Sequence, residues 1–441
     1  MRIQRFALCI LVFSAGLCFT AFAVAQEKTR PQSPPPEGLT LEAALVQASR
    51  NRQELTSYQT DLEAAMLKLQ HAGLPPNPEI GVEWNNLGND LPDGDTRETT
   101  VSLSQALEIG GKPSARKDKG QAEMLRLQRE QAMTWLDIAA EVRTAFVEVL
   151  NARERLALQR EAGKIASDLV AMTHEQVVAG KIAGTEETRA QARKAEALAE
   201  AQKLKRLLAE AELNLATVLL SDPGDATVTA AGNLPHEVPV PDRQALLAEM
   251  KDSPLLALRR SETQLAKTSL SLEQANAWSD PTVSLSVRDV PSEDARAFAI
   301  GVSIPLPLFQ RNQPSLAEAG AAAHKATANE AAASRRLQTE LIKAHTVLVA
   351  ADQEVRMLRA DGLNKATEAA EAVQEGFRAG KFRYSDVLEA SQSLMTMKAR
   401  YLDALLDLNR AAIALDRLLG KPALPALSKN ISSSSINRST P

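Results

Sequence analysis

The sequence predicts a mainly α fold with a small β part: long coiled-coil helices that carry four short strands of the membrane-barrel type. Three observations predict it. Ala179-Gly180-Lys181-Ile182 recurs as Ala379-Gly380-Lys381-Phe382 two hundred residues later. Nearly the same offset relates Asn77-Pro78 to Asp280-Pro281 and Leu219-Leu220-Ser221-Asp222-Pro223 to Leu418-Leu419-Gly420-Lys421-Pro422. That exceeds the roughly 20 to 50 residues of a solenoid unit, so each copy is an architectural half. The chain is 44% hydrophobic yet only 3% aromatic, a balance that suits slim, closely packed helices. Each half also holds two stretches in which apolar and polar residues alternate, the period of a strand.

Residues 1–25 read as an export leader: Arg2 and Arg5, an apolar stretch over 6–22, and the small residues Ala23-Val24-Ala25 before Gln26. Cys9 and Cys18 both fall inside it, so the processed chain would hold no disulfide and no thiolate metal ligand. A lipoprotein signal places a small residue before its cysteine; Leu17 stands there, which argues against lipidation. Loss of the two leader arginines takes the net charge from −4 to −6, which disfavours a nucleic-acid partner. Residues 26–38 are a polar, proline-rich linker and 421–441 a serine-rich tail, both too poor in apolar surface to fold alone. Between them lie a first repeat, 39–223, an inter-repeat linker, 224–241, and a second repeat, 242–420.

In the first repeat the breaks predict helices over 40–72, 113–178 and 185–220; in the second, over 242–277, 314–379 and 385–419. The longest would run on the order of 100 Å, and the two shorter helices of each half, end to end, match the long one. Leu394, Met397, Tyr401, Ala404, Leu408, Ala411, Leu415 and Leu418 alternate spacings of three and four, as do Leu204, Leu208, Ala211, Leu215 and Val218. That is a 3.5-residue seam, which asks for knobs-into-holes packing. A simple antiparallel coiled coil would show the same seam.

The alternating stretches separate the two readings. Ile80, Val82 and Trp84 alternate with Glu79, Gly81 and Glu83; Val101 and Leu103 with Thr100, Ser102 and Ser104. Val283, Leu285 and Val287 alternate with Ser284, Ser286 and Arg288; Phe298, Ile300, Val302 and Ile304 with Ala297, Ala299, Gly301 and Ser303. Strands with one apolar and one polar or small face fit a transmembrane barrel, although a soluble hairpin with one buried face looks alike. The loops over 88–96 and 289–295 are polar and turn-prone. No apolar run beyond the leader reaches the length of a membrane helix, so membrane contact would fall to the strands. Four strands cannot close a barrel, whose smallest single-chain form has eight, so several chains must contribute under cyclic symmetry.

These residues carry a resemblance. The chain over about 39–420 is similar to the outer-membrane efflux factors, the TolC-like proteins, through its Ala-Gly-Lys turns and Ser303-Ile304-Pro305-Leu306-Pro307-Leu308-Phe309 with Arg311-Asn312-Gln313. Leu107-Glu108-Ile109-Gly110-Gly111-Lys112 resembles the heavy-metal cation branch, which is CzcC-like. The resemblance implies a homotrimer with a twelve-strand barrel in the outer membrane of a Gram-negative bacterium and a long helical tube in the periplasm. It also implies a periplasmic adaptor and an inner-membrane resistance-nodulation-division (RND) pump as partners, and a water-filled conduit rather than chemistry.

By the same resemblance a periplasmic gate falls on Asp386 and Glu389, one helical turn apart, and on Glu186 in the first copy. Acids in a first turn are also favoured by the helix dipole alone. Multidrug relatives latch with a tyrosine and an arginine where Phe377 and Phe382 stand here, so closure would rest on packing, through Phe382 and Tyr384. Gly180, Lys181, Gly380 and Lys381 are the adaptor-docking turns, a role that competes with glycine's purely structural use in a tight reversal. His71, His174, His236, His324 and His345 show no helical metal spacing. No motif implies a cofactor, a nucleotide or a catalytic set, so the chain is expected not to be an enzyme. Three readings stay open beside metal export: multidrug efflux, a type I secretion duct, and a periplasmic adaptor, whose large all-β domains are not evident.

Overall fold

The computed structural model describes residues 38–85, 98–219, 228–290 and 295–421. The leader, nearly all of the 26–38 linker, the 88–96 loop, the middle of the 289–295 loop and the tail past Lys421 lie outside the described residues. The first repeat holds α1 (Leu41–Asn51), α2 (Gln53–His71), β1 (Glu79–Asn85), β2 (Glu98–Ala106), α3 (Lys112–Val178) and α4 (Gly184–Val218). The second holds α5 (Arg243–Glu249), α6 (Pro254–Asn276), β3 (Thr282–Val290), β4 (Ala295–Ser303), α7 (Gln313–Met357), α8 (Asn364–Arg378) and α9 (Tyr384–Leu419). The fold is therefore mainly helical with one small antiparallel sheet. No described helix is long and apolar enough to cross a membrane.

Three expected helices are interrupted, each for a local reason. The helix expected over 40–72 breaks at Arg52, which takes an extended backbone (ψ 109°). The break turns Asn51 Nδ2 and Arg52 Nε onto the carbonyls of Leu219 and Val218, 3.2 and 3.1 Å away, satisfying acceptors that the end of α4 leaves open. The helix expected over 242–277 breaks before Pro254, which has no N–H to donate and begins α6. There Ser253 Oγ donates to Leu418 O, 2.9 Å, so the second repeat closes the end of α9 as the first closes α4, with different side chains. The helix expected over 314–379 contains a π-helical turn, Leu358–Leu363, between α7 and α8. Gly362 in that turn leaves room for Met397: a Cβ there would meet its sulfur at 2.9 Å.

Long α3 packs along α2, α4, α6 and α9, and α7 along α6 and α9. The heptad seam faces inward: Ala404, Leu408, Ala411 and Leu415 of α9 and Leu215 and Val218 of α4 are buried. They join Val142, Phe146 and Val149 of α3 and Leu337, Leu341 and Leu348 of α7 in one core. A buried leucine contributes on the order of 2 kcal/mol, so this cluster carries most of the driving force. The described part of the inter-repeat linker, 228–241, is clamped onto it. Arg153 donates to Ala230 O at 2.7 Å, Leu234 N–H to Glu154 Oε1 at 3.0 Å, and Asn409 to Pro235 O at 3.0 Å.

The strands pair antiparallel in the order β1-β2-β3-β4. Their register aligns the alternation across all four: Ile80 opposes Leu103, Leu103 opposes Leu285, and Leu285 opposes Ile300. A second row runs Val82, Val101, Val287, Phe298. One face is thus apolar, and it is uncovered within the chain, with Phe298 77% and Ile300 80% exposed. The other face carries rows such as Gly81, Ser102, Ser286, Ala299. The outer edges of β1 and β4 have no strand partner among the described residues.

Candidate functional site

The two Ala-Gly-Lys turns are built alike. Gly180 and Gly380 take φ of +68° and +75°, a region that glycine enters without cost. Gly180 N–H donates to Val177 O and Lys181 N–H to Gln176 O, both 2.9 Å; Gly380 and Lys381 repeat this with Phe377 O (2.9 Å) and Gly376 O (2.8 Å). This paired pattern is a Schellman motif, which closes the last carbonyls of a helix. Lys181 and Lys381 are left exposed at the turns.

Around the turns a second, separate core ties the repeats together: Leu169 of α3, Ala190 of α4, Phe377 of α8, and Tyr384 and Val387 of α9. The two aromatic residues expected to close the tube by packing differ in their surroundings. Tyr384 is 5% exposed and already committed within its own chain. Burial raises its phenol pKa, and the nearby Glu186 carboxylate raises it further. Phe382 is 45% exposed and lies over Gly376, where a Cβ would run into its ring. Phe377, which the sequence marked only as a missing latch, is a buried member of this core.

The acidic residues divide by role. Asp386 is the third residue of α9, and its Oδ2 accepts the Arg383 N–H at 2.9 Å, so it caps its own helix. Glu186, in the first turn of α4, pairs with Arg189 at 3.0 Å. Glu389 is exposed one turn beyond Asp386 and lines a groove of about 500 Å³ with Arg193, Gln392 and Arg400. Arg193 comes from α4, so the groove joins the repeats. Sequence reading missed the two arginines, because their proximity depends on how α4 and α9 pack. Two further cross-links hold the helices: His174 Nδ1 to Glu187 Oε1 at 3.0 Å joins α3 to α4, and Lys398 Nζ to Glu161 Oε1 at 3.0 Å joins α9 of the second repeat to α3 of the first. No cluster of three or more His, Cys, Asp or Glu among the described residues could hold a metal ion.

The model of the family described as outer membrane efflux protein matches residues 44–219 and 255–421, one segment in each repeat. The chain belongs to the outer membrane efflux protein family. It is 32% identical over 406 residues to the cobalt-zinc-cadmium resistance protein CzcC of Cupriavidus metallidurans, covering 91% of this chain and 96% of that one. Among solved structures, the CmeC outer membrane channel of Campylobacter jejuni aligns with a TM-score of 0.70 at 15% identity, over 91% of this chain and 90% of that one. The outer membrane protein VceC of Vibrio cholerae aligns with a TM-score of 0.69 at 19% identity, over 86% and 96%. This outer-membrane efflux protein thus has the channel fold, with its four-stranded sheet as the membrane part and its long helices as the periplasmic part.

Proposed function

We propose that this outer-membrane efflux protein is the exit duct of a tripartite system that expels heavy-metal cations. It works as a homotrimer beneath which a periplasmic adaptor and an inner-membrane RND pump complete the path. The observation that carries the reading is the 32% identity to CzcC over nearly the full length of both chains. The uncapped edges of β1 and β4 support the trimer, since three chains of four strands make twelve, an even number above the minimum of eight. In that trimer Asp386 and Glu389 form a ring of carboxylates at the periplasmic mouth, seconded by Glu186, and attract cations to a narrow axis. Phe382 is the exposed ring available for closure by packing. Gly180, Lys181, Gly380 and Lys381 present two like turns per chain to the adaptor. The chain contributes no catalytic step.

A deletion strain challenged with cobalt, zinc, cadmium, copper and, separately, detergents tests the reading. Sensitisation to divalent cations alone is expected, restored by the intact gene. Sensitisation to detergents with unchanged metal tolerance would favour a multidrug duct.

A further inference from the structure

The apolar surface of the sheet does not stop where strand pairing stops. On β4 the alternation Phe298, Ile300, Val302 continues through Ile304, Leu306 and Leu308, past the last paired residue, Ser303. Leu306 and Leu308 are 74% and 69% exposed, and Phe309 is 92% exposed. After β2 the row of Val101 and Leu103 is interrupted by Gln105, whose side-chain amide donates to Pro76 O at 2.8 Å, and resumes at Leu107 and Ile109, both exposed, while Glu108 between them pairs with Arg116. Trp278, also exposed, lies against Gly110 beside them.

Length explains why the extension matters. From Phe298 to Val302 is four residues, about 14 Å along a strand, or about 10 Å along the membrane normal at a tilt of about 40°. A barrel of this kind presents an apolar band about 25 Å tall. Continued to Leu306, an extended chain spans about 21 Å along the normal, with Leu308 and Phe309 at the lower rim.

Irregular backbone facing lipid is normally excluded by its unpaired polar groups, and several of the N–H donors of this collar are absent or paired. Pro305 and Pro307 have no N–H, and Leu308 N–H donates to Leu306 O at 2.9 Å. Leu107 N–H donates to Pro281 O at 2.8 Å, and Ile109 N–H to Asp280 Oδ1 at 3.0 Å. Arg311 follows as an exposed cation whose Nε donates to Pro307 O at 3.2 Å, a residue type that can reach toward phospholipid headgroups.

We infer that Leu107, Ile109, Leu306, Leu308 and Phe309, with Trp278 at the rim, form a collar immersed in the phospholipid of the inner leaflet, completing the apolar band that the paired strands leave short. The inference rests on the sheet being the membrane part and adds a lipid-contact surface outside the strands.

With the two native cysteines replaced, Cys9→Ser and Cys18→Ser, the chain accepts a single nitroxide label at an introduced cysteine. Labels at Leu306→Cys, Leu308→Cys and Ile300→Cys, in the full chain reconstituted in phosphatidylethanolamine vesicles, are compared for collision with oxygen and with a water-soluble nickel chelate. The collar labels should match Ile300→Cys, favouring oxygen several-fold. Access to the nickel chelate at the collar would place it in water, and access to neither reagent would place it against a second copy of the chain; each overturns the inference. A label at Ile300→Cys that meets the nickel chelate would instead overturn the membrane reading of the sheet. A second measurement leaves the collar untouched: in Trp84→Phe, with Trp135 buried, lipids brominated near the headgroup should quench Trp278, and undiminished fluorescence overturns the collar.

Discussion

Lys112 Nζ lies 2.6 Å from Asp280 Oδ2, joining the first residue of α3 in one repeat to the segment that leads into β3 in the other. The second oxygen of Asp280 accepts Ile109 N–H at 3.0 Å. Both repeats thus meet at one carboxylate where helix gives way to sheet. The Leu107–Lys112 motif owes its form to this joint. Gly110 and Gly111 take φ of +73° and +77°, and a Cβ on Gly110 would meet Trp278 at 2.7 Å. Asp280→Ala leaves Lys112, 8% exposed, without its counter-charge and Ile109 without its acceptor. The expected cost is about 2 to 3 kcal/mol, read as a lower urea midpoint by circular dichroism. Asp280→Asn keeps an acceptor for Ile109 and should recover part of the loss; equal losses in both variants would show that the amide contact contributes nothing.

The turns separate structure from docking. Gly380→Ala meets no atom within 4 Å, so its cost is the backbone alone, about 1 to 2 kcal/mol for a left-handed residue with a Cβ. Gly380→Asn should cost less, because asparagine tolerates that region. Lys381→Ala touches nothing that holds the turn, so its melting temperature should match the parent while adaptor binding weakens. Unchanged adaptor binding in Lys181→Ala with Lys381→Ala would remove the lysines from the docking surface.

Much of this was legible in the amino-acid order, because period and duplication are properties of the chain itself. The inward residues of α9, from Ala404 to Leu415, and the apolar rows from Ile80 to Ile300 follow directly from spacings of three and four, or of two. The break before Pro254 was missed in the helix expected over 242–277, although a serine followed by proline is a helix-start signal. The break at Arg52 carries no such signal, since its cause is the open carbonyls of α4, 166 residues away in sequence. The π turn beside Met397 and the groove that brings Arg193 to Glu389 likewise arise from packing between elements. At the tip, the family resemblance marked Asp386, and nothing in the order of residues showed its use as a helix cap.

The capping contact of Asp386 shapes the test of the proposed carboxylate ring. Asp386→Ala would remove both a charge and a cap, at about 0.5 to 2 kcal/mol for the cap, and a changed conductance could then reflect a frayed α9. Asp386→Asn keeps an oxygen that can accept Arg383 N–H, and Glu389→Gln removes a charge that caps nothing. The pair Asp386→Asn with Glu389→Gln should therefore keep helicity and weaken divalent-cation block of single-channel current. Unchanged block would count against the ring.

Tyr384 offers a pH test of the tip. Its phenol pKa is raised from 10.0 by burial and by Glu186, so the folded chain holds the proton more tightly than the unfolded one. The stabilisation is fully present below pH 10 and is lost as pH rises through the raised value. Above that range the cluster of Leu169, Ala190, Phe377 and Val387 must admit a phenolate or open. Alkaline pH should therefore speed amide exchange at residues 376–390 before it affects α3 near Phe146. Tyr384→Phe keeps the ring and removes the titration, so its tip should stay protected at the same pH. Equal alkaline loosening in Tyr384→Phe would assign the effect to another group, such as Tyr401, whose pKa is also raised by burial.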